Sequence, residues 1–286
     1  MAQSFAQPRR SVILTVLMAG LVAYSLFPLL WLLISATKTQ DMLGDSFGLL
    51  PAGPFALFDN IAEVFTHQDG IFARWFGNTI IYVVAGAGGA TLLATLGGYG
   101  LAKYRFRGRA AIFATVLGAV AVPGTALAVP TFLMFSEIGL TNTMWSVILP
   151  TLVSPFGMYL MWVFASEAIP TELLEAARVD GAGEWRTFFT ISLRLLAPGV
   201  VTVGLFAIVA TWNNYFLPLI MLSDRELYPL AIGLASWNAD AVGIGAAPVF
   251  HLVITGAVIT ILPIVAVFLL LQRYWQSGLS AGGVKG

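Results

Sequence analysis

The chain's stock of groups for metal binding, nucleophilic attack and proton transfer is small: two histidines, fourteen acidic residues and no cysteine among 286 residues. Without cysteine, disulfide frameworks, thiol catalysis and thiolate metal sites are excluded. His67 and His251 lie too far apart in sequence to read as a metal pair. No paired carboxylates sit in the apolar runs, so a membrane-embedded enzyme would lack an acid–base set. Two clusters with chemical potential remain. Trp212, Asn213, Asn214 and Tyr215 put aromatic faces beside amide donors and acceptors, which suits a neutral hydroxylated ligand such as a sugar, and equally suits helix-to-helix amide bonds or an interfacial aromatic belt. The second is the polar stretch Pro170 to Ile191, whose Glu172, Glu175, Arg178, Asp180 and Glu184 interrupt an apolar chain.

The elements that must position these residues are apolar. Hydrophobic residues make up 58% of the chain and charged residues 10%, against about 25% charged in an ordinary soluble domain. Uncharged runs at about 12–37, 76–102, 110–135, 144–165, 195–222 and 249–271 are each long enough to cross a bilayer. The expected fold is all-α, a polytopic membrane protein of six transmembrane helices forming one permease domain over 12–272. A short N-terminus (1–11) and a tail (273–286) flank it. The first run follows Arg9 and Arg10, and Ile34-Ser35-Ala36 resembles a small-residue cleavage site. Its apolar core exceeds a signal h-region, so it reads as an uncleaved anchor.

Lys and Arg set the orientation. One set of segments holds Arg9 and Arg10; Lys103, Arg105, Arg107 and Arg109; Arg178, Arg186 and Arg194; and Arg273 and Lys285. The alternate loops hold only Lys38, Arg74 and Arg225, among Asp41, Asp45, Asp59, Glu63, Asp69, Glu137, Asp224, Glu226 and Asp240. The first set reads as cytoplasmic, which puts both termini inside and agrees with six spans. The long outer loop from Lys38 to Trp75 is expected to fold partly onto the membrane surface, as a partner surface or as an amphipathic connector.

No Lys, Arg, Asp or Glu interrupts the six runs. That argues against a proton-coupled secondary transporter, a pump with its own charge relay, or a voltage sensor, so energy comes from elsewhere. The second run carries Gly86, Ala90, Ala94 and Gly98 at i, i+4 spacing, a small-residue ridge suited to packing within the chain or to a dimer face. Pro123, Pro130, Pro150, Pro155, Pro218 and Pro263 break the helical pattern, as suits a pathway that opens and closes.

Within the loop 167–194, Pro170 suits a first helical turn, Glu172 and Glu175 lie near the positive end of the helix dipole, and Gly181 and Gly183 offer stops. A helix of about three turns follows, with Leu173, Leu174 and Ala177 sharing a side. The Ala pair and Gly181 keep it slim enough for a groove. Glu175-Ala176-Ala177, Gly181 four residues after Ala177, and Ile191-Ser192-Leu193 then resemble the EAA loop in membrane subunits of binding-protein-dependent ABC importers. Arg194 stands where that family commonly has Pro, and Pro198 follows. Asn78-Thr79, Asp180-Gly181-Ala182, Trp212 to Leu219 and the ending Gly278 to Gly286 are similar to the carbohydrate-uptake branch, in particular to the smaller six-span permease of the maltose-importer type.

This resemblance implies a non-catalytic subunit of a bacterial or archaeal cell membrane, with a second homologous permease subunit, two ATP-binding subunits that hold ATP and Mg, and an extracytoplasmic sugar-binding protein. No nucleic acid is implied, and no cofactor in this chain. Carried over by motif, Glu175, Ala176, Ala177 and Gly181 are ATPase-docking residues of a cytoplasmic coupling helix, with Asp180 and Gly183 beside them. A di- or oligosaccharide is the expected cargo, and a glycerophosphodiester or polyol the alternative; Trp212, Asn213, Asn214 and Tyr215 are pathway candidates.

Overall fold

The computed structural model describes residues 11–242 and 246–282, the side chains of 273–282 excepted, and every regular element among them is a helix. The chain separates into two compact units, residues 1–66 with 237–259, and residues 67–236 with 260–286.

In the first unit, Ser11 opens α1 (Val12–Ala36) by accepting a hydrogen bond from the Leu14 amide at 3.3 Å. Residues 11–31 are exposed throughout, and Ser35 and Ala36 are the helix's buried positions. A helix apolar on all sides and this exposed requires an apolar surrounding rather than water. Two helices follow, α2 (Gln40–Asp45) and α3 (Leu57–Thr66). The segment expected to fold partly onto the membrane surface is held together by buried polar groups. Lys38 is buried and donates to Ser46 Oγ at 2.9 Å and to the Phe47 carbonyl at 2.8 Å. The Asn60 amide donates to the carbonyls of Ala36 and Lys38, both at 2.9 Å, where the chain leaves α1. Asn60→Ala strips donors from two buried carbonyls, at a cost of about 1–3 kcal/mol. The expected result is a lower thermal midpoint of the detergent-purified protein; an unchanged midpoint would refute the role.

The second unit opens with a left-handed stretch at Gln68, Asp69 and Gly70. Helices α4 (Ile71–Tyr82) and α5 (Gly88–Lys103) are joined through a π-turn at Val83–Ala87, so the second run starts earlier than its hydropathy suggests. The third run, 110–135, is not straight: α6 (Arg109–Val120) and the segment Gly124–Glu137, which ends in α7 (Ala128–Glu137), meet at 100°. Pro123 supplies the cause, because it has no N–H to donate and it disfavours helical geometry at Val122. The fourth run is interrupted between α8 (Trp145–Thr151) and α9 (Pro155–Ala168), where Ser154 accepts the Gly157 amide at 3.2 Å and Pro155 takes the first helical position. After the short α10 (Thr171–Val179), the chain runs from α11 (Glu184–Thr187) through a π-turn at Phe188–Ser192 into α12 (Leu193–Trp212). The fifth apolar helix therefore starts eleven residues before its expected position and stops at Trp212. Arg194 sits inside it, and Pro198 is accommodated within α12. Helices α13 (Phe216–Met221) and α14 (Leu230–Val242) occupy stretches read as span end and loop, and α15 (Phe250–Gly282) extends the last run far into the tail. Residues 283–286 of the predicted tail lie outside the described residues.

Among the described residues, five helices are long and apolar enough to cross a membrane, and the bent pair makes a sixth. The small-residue ridge is buried within the chain at Gly86, Ala90, Ala94 and Gly98. Ala94 belongs to a core with Tyr99, Met161, Ala165, Ile169, Leu174, Phe188, Leu196 and Val203.

Candidate functional site

The helix α10 is built as its sequence requires, with two differences. Pro170 lies at the N-cap rather than inside the first turn, with an extended backbone (φ −63°, ψ 140°). Leu174 and Ala177 face inward, whereas Leu173 is exposed with Glu172, Glu175 and Ala176. The slim outer profile therefore comes from Ala176 alone of the alanine pair. At the far end Gly181 has φ +76°. The Ala182 amide donates to the Ala177 carbonyl at 2.9 Å and the Gly181 amide to that of Arg178 at 3.0 Å. This paired closure satisfies the last carbonyls only if the residue at position 181 adopts left-handed geometry, which glycine does without strain. Gly183 has an ordinary extended backbone (φ −68°, ψ 159°) and caps α11.

An apolar surface continues past the helix. Val179 is 87% and Trp185 70% exposed, and Trp185 stacks on the exposed Phe189 with ring centroids 6.1 Å apart. Sequence reasoning passed over Val179, Trp185 and Phe189; the signal was three large apolar residues in a polar loop.

Sequence reasoning also missed what fastens this loop. Lys103 Nζ donates to the Ile169 carbonyl at 2.6 Å, and Tyr104 donates its hydroxyl to Glu184 Oε2 at 2.6 Å. Arg178 Nε donates to Glu184 Oε1 at 2.9 Å. Burial first, and then the bond to Glu184, hold the Tyr104 phenol well above its ordinary pKa.

The cluster Trp212 to Tyr215 does not act as one group. Trp212 is buried and meets Phe76 edge-on at 6.2 Å, and Asn213 Nδ2 donates to its own helix at the Val209 carbonyl, 2.9 Å. Tyr215 is exposed, and Asn214 alone of the four lines a cleft of about 920 Å³. Three helix interruptions border this cleft: the bend after α6 contributes Val122 and Thr125, the break before α9 contributes Val153, and the end of α12 contributes Asn214. Irregular backbone at membrane depth persists where it lines a wet cavity or is buried in protein. The lining is predominantly apolar and carries no charged side chain; its polar groups are threonine hydroxyls such as those of Thr125 and Thr211 and the Asn214 amide.

His251, considered above for a metal, is buried and held by Gln40 Oε1, 3.0 Å from Nδ1, and Glu63 Oε2, 3.1 Å from Nε2. Among the described residues no group of three His, Cys, Asp or Glu side chains is placed to hold a metal ion.

Comparison with known proteins places these features in a family. Residues 90–280 match the family described as "binding-protein-dependent transport system inner membrane component". An arabinooligosaccharides transport system permease protein of Halalkalibacterium halodurans is 32% identical, over 98% of this chain and 98% of that protein. A lactose transport system permease protein of Rhizobium radiobacter is 31% identical over 91% of each chain, and a diacetylchitobiose uptake system permease protein of Streptomyces coelicolor is 31% identical over 89% of this chain and 82% of its own. The fold is shared with a chain in the crystal structure of a bacterial ABC transporter involved in import of the acidic polysaccharide alginate. That match has a TM-score of 0.81 and 22% identity, and covers 94% of this chain and 100% of that one. With a matched stretch well over half its length and relatives aligned almost end to end, the chain belongs to the family of binding-protein-dependent transport system inner membrane components, as a multi-pass ABC transporter permease.

Proposed function

We propose that the chain forms half of the translocation pathway of an ATP-driven importer for a di- or oligosaccharide and couples that pathway to a cytoplasmic ATPase through α10. Both termini and the 167–194 loop lie in the cytoplasm. A second homologous permease completes the pathway, two ATP-binding subunits carry ATP and Mg, and an extracytoplasmic binding protein delivers the sugar. The chain itself catalyses nothing and binds no cofactor.

The observation that carries this reading is the exposed, glycine-closed helix α10 in a polar segment between two apolar runs, its Glu172, Glu175 and Ala176 turned outward and its Leu174 and Ala177 anchored inward. A second support is the cleft, whose predominantly apolar, uncharged lining would penalise an ion through desolvation and whose threonine hydroxyls and Asn214 amide can meet a neutral hydroxylated cargo. In this reading Asn214 is the pathway contact, and Trp212 and Asn213 hold the end of α12. The sugar-uptake names of the arabinooligosaccharide, lactose and diacetylchitobiose relatives point the same way.

The test is affinity purification of the tagged chain from its own host, followed by reconstitution in liposomes with the recovered subunits. Uptake is measured over lactose, an arabinotriose, diacetylchitobiose, maltose, glycerol and a glycerophosphodiester. An ATPase that co-purifies and drives uptake of one of the saccharides is the expected result. Uptake by this chain alone, or ATP-driven uptake confined to the last two compounds, would overturn the reading.

A further inference from the structure

The backbone bonds at the exit of α10, from the Gly181 and Ala182 amides, are internal to the loop and tie it to no other helix. A helix on such a tether would swivel when pushed. Side chains hold it instead, and the two that reach furthest are consecutive. Lys103 is the last residue of α5, and its ammonium lies 2.6 Å from the Ile169 carbonyl and 3.4 Å from that of Ser166. It thus caps the carbonyl end of α9 at the point where the loop departs, a favourable place for a cation. Tyr104 follows, and its hydroxyl meets Glu184 Oε2 at 2.6 Å where the loop returns. The other Glu184 oxygen takes Arg178 Nε at 2.9 Å, so a single carboxylate joins α10, the first residue of α11 and the end of α5. The Tyr104 ring packs edge-on against Tyr99 at 5.7 Å, Tyr99 lies 5.0 Å from Phe188, and Ser192 Oγ donates to the Tyr99 hydroxyl at 3.3 Å. The contacts therefore reach through the π-turn to the start of α12.

We propose that Lys103 and Tyr104 are a latch that locks α10, the end of α9 and the start of the 184–212 helix to α5, so that displacement of α10 reaches the membrane helices instead of being lost in loop rotation. Both are positioning residues, and the inference rests on the reading of α10 as the ATPase-docking helix. Their placement argues for geometry over stability. Arg178 and Glu184 are half exposed, and exposed ion pairs contribute little to folding. What Lys103 and Tyr104 supply is direction, since their bonds span 63 to 80 residues of sequence.

The test uses the reconstituted transporter with Tyr104→Phe, Lys103→Met and the conservative Lys103→Arg. Tyr104→Phe keeps the ring and removes only the hydroxyl. Co-purification of the ATPase and its hydrolysis rate are expected to stay within about twofold, while sugar carried per ATP falls about tenfold in Tyr104→Phe and Lys103→Met and is retained in Lys103→Arg, a size typical of inter-site coupling. Because the chain has no cysteine, spin labels at the exposed positions Thr171→Cys and Arg107→Cys report the same geometry; a narrow distance distribution should broaden in the two uncoupled variants. Unchanged stoichiometry with an unchanged distribution overturns the latch, and so does loss of ATPase co-purification in Tyr104→Phe, which would make the contact merely structural. Failure of the ATPase to co-purify with the unmodified chain overturns the docking reading instead.

Discussion

Gly181→Val is expected to insert in the membrane at wild-type yield and to lose ATP-dependent uptake by at least about tenfold, since a β-branched residue in left-handed geometry is a strong outlier. The reason lies in the backbone. Gly181 has φ +76°, and a Cβ placed there meets nothing within 4 Å. No neighbour inside the chain forbids a side chain; the dihedral does. An L-residue in this region costs about 1–2 kcal/mol, and the chain relieves that cost by opening the closure formed by the Ala182 and Gly181 amides. Once it opens, the direction from α10 to Glu184 is lost, and with it the placement of Asp180, Gly183 and Arg178. Folding is little affected, because the anchors Leu174 and Ala177 lie within the helix and remain buried. Two companions separate the causes. Asn tolerates left-handed geometry, so Gly181→Asn should keep most of the uptake, whereas Gly183→Ala, at an ordinary extended backbone with open space around it, should behave as wild type. Wild-type uptake in Gly181→Val would refute the dihedral argument. Equal loss in the Asn variant would assign the requirement to the partner's surface.

Much of this site was legible in the sequence because its signals are local. An acidic first turn, inward Leu174 and Ala177 and a glycine stop are properties of neighbours along one helix, and the apolar runs report lipid in the same local way. What escaped depends on residues distant in sequence. Lys103 counted only as one of four basic residues in a loop, yet its ammonium caps the end of α9; Tyr104 carried no signal at all until Glu184 was beside it. The tetrad Trp212 to Tyr215 misled for a related reason. Adjacent residues at a helix end point in different directions, so Trp212 packs on Phe76, Asn213 bonds back to Val209 and Asn214 faces the cleft. Hydropathy also cannot show a bend. Residues 110–135 are uniformly apolar, and the 100° angle follows from where Pro123 falls relative to the residues that could have continued the helix.

Gly98→Val is expected to remove most of the folded protein, read as loss of the monodisperse peak in detergent size-exclusion chromatography. A Cβ at Gly98 would lie 2.6 Å from Met161 Cβ, 2.7 Å from the Trp162 nitrogen and 2.8 Å from the Met161 carbonyl carbon. Two of these are backbone atoms of α9, so no rotamer change relieves the clash and the two helices must part. Overpacking of this kind costs about 1–3 kcal/mol for an added methyl or methylene, and more for a branched group, against a total stability of about 5–15 kcal/mol. Parting also opens the core that holds Ala94, Met161, Ala165 and Leu196. Gly97 provides the control, because its Cβ would meet the terminal methyl of Met158, a flexible group that swings aside; Gly97→Ala should fold normally. A folded Gly98→Val protein would return the small-residue ridge to the competing reading of a dimer face. The milder Gly98→Ala links this packing to transport. Position 98 lies five residues, about 7.5 Å along the helix, from Lys103, so an α5 displaced at Gly98 carries Lys103 and Tyr104 out of register with Ile169 and Glu184. Its signature is a protein that still folds and hydrolyses ATP but transports less sugar per ATP, whereas full transport in Gly98→Ala would mean that the register of α5 is not what the loop depends on.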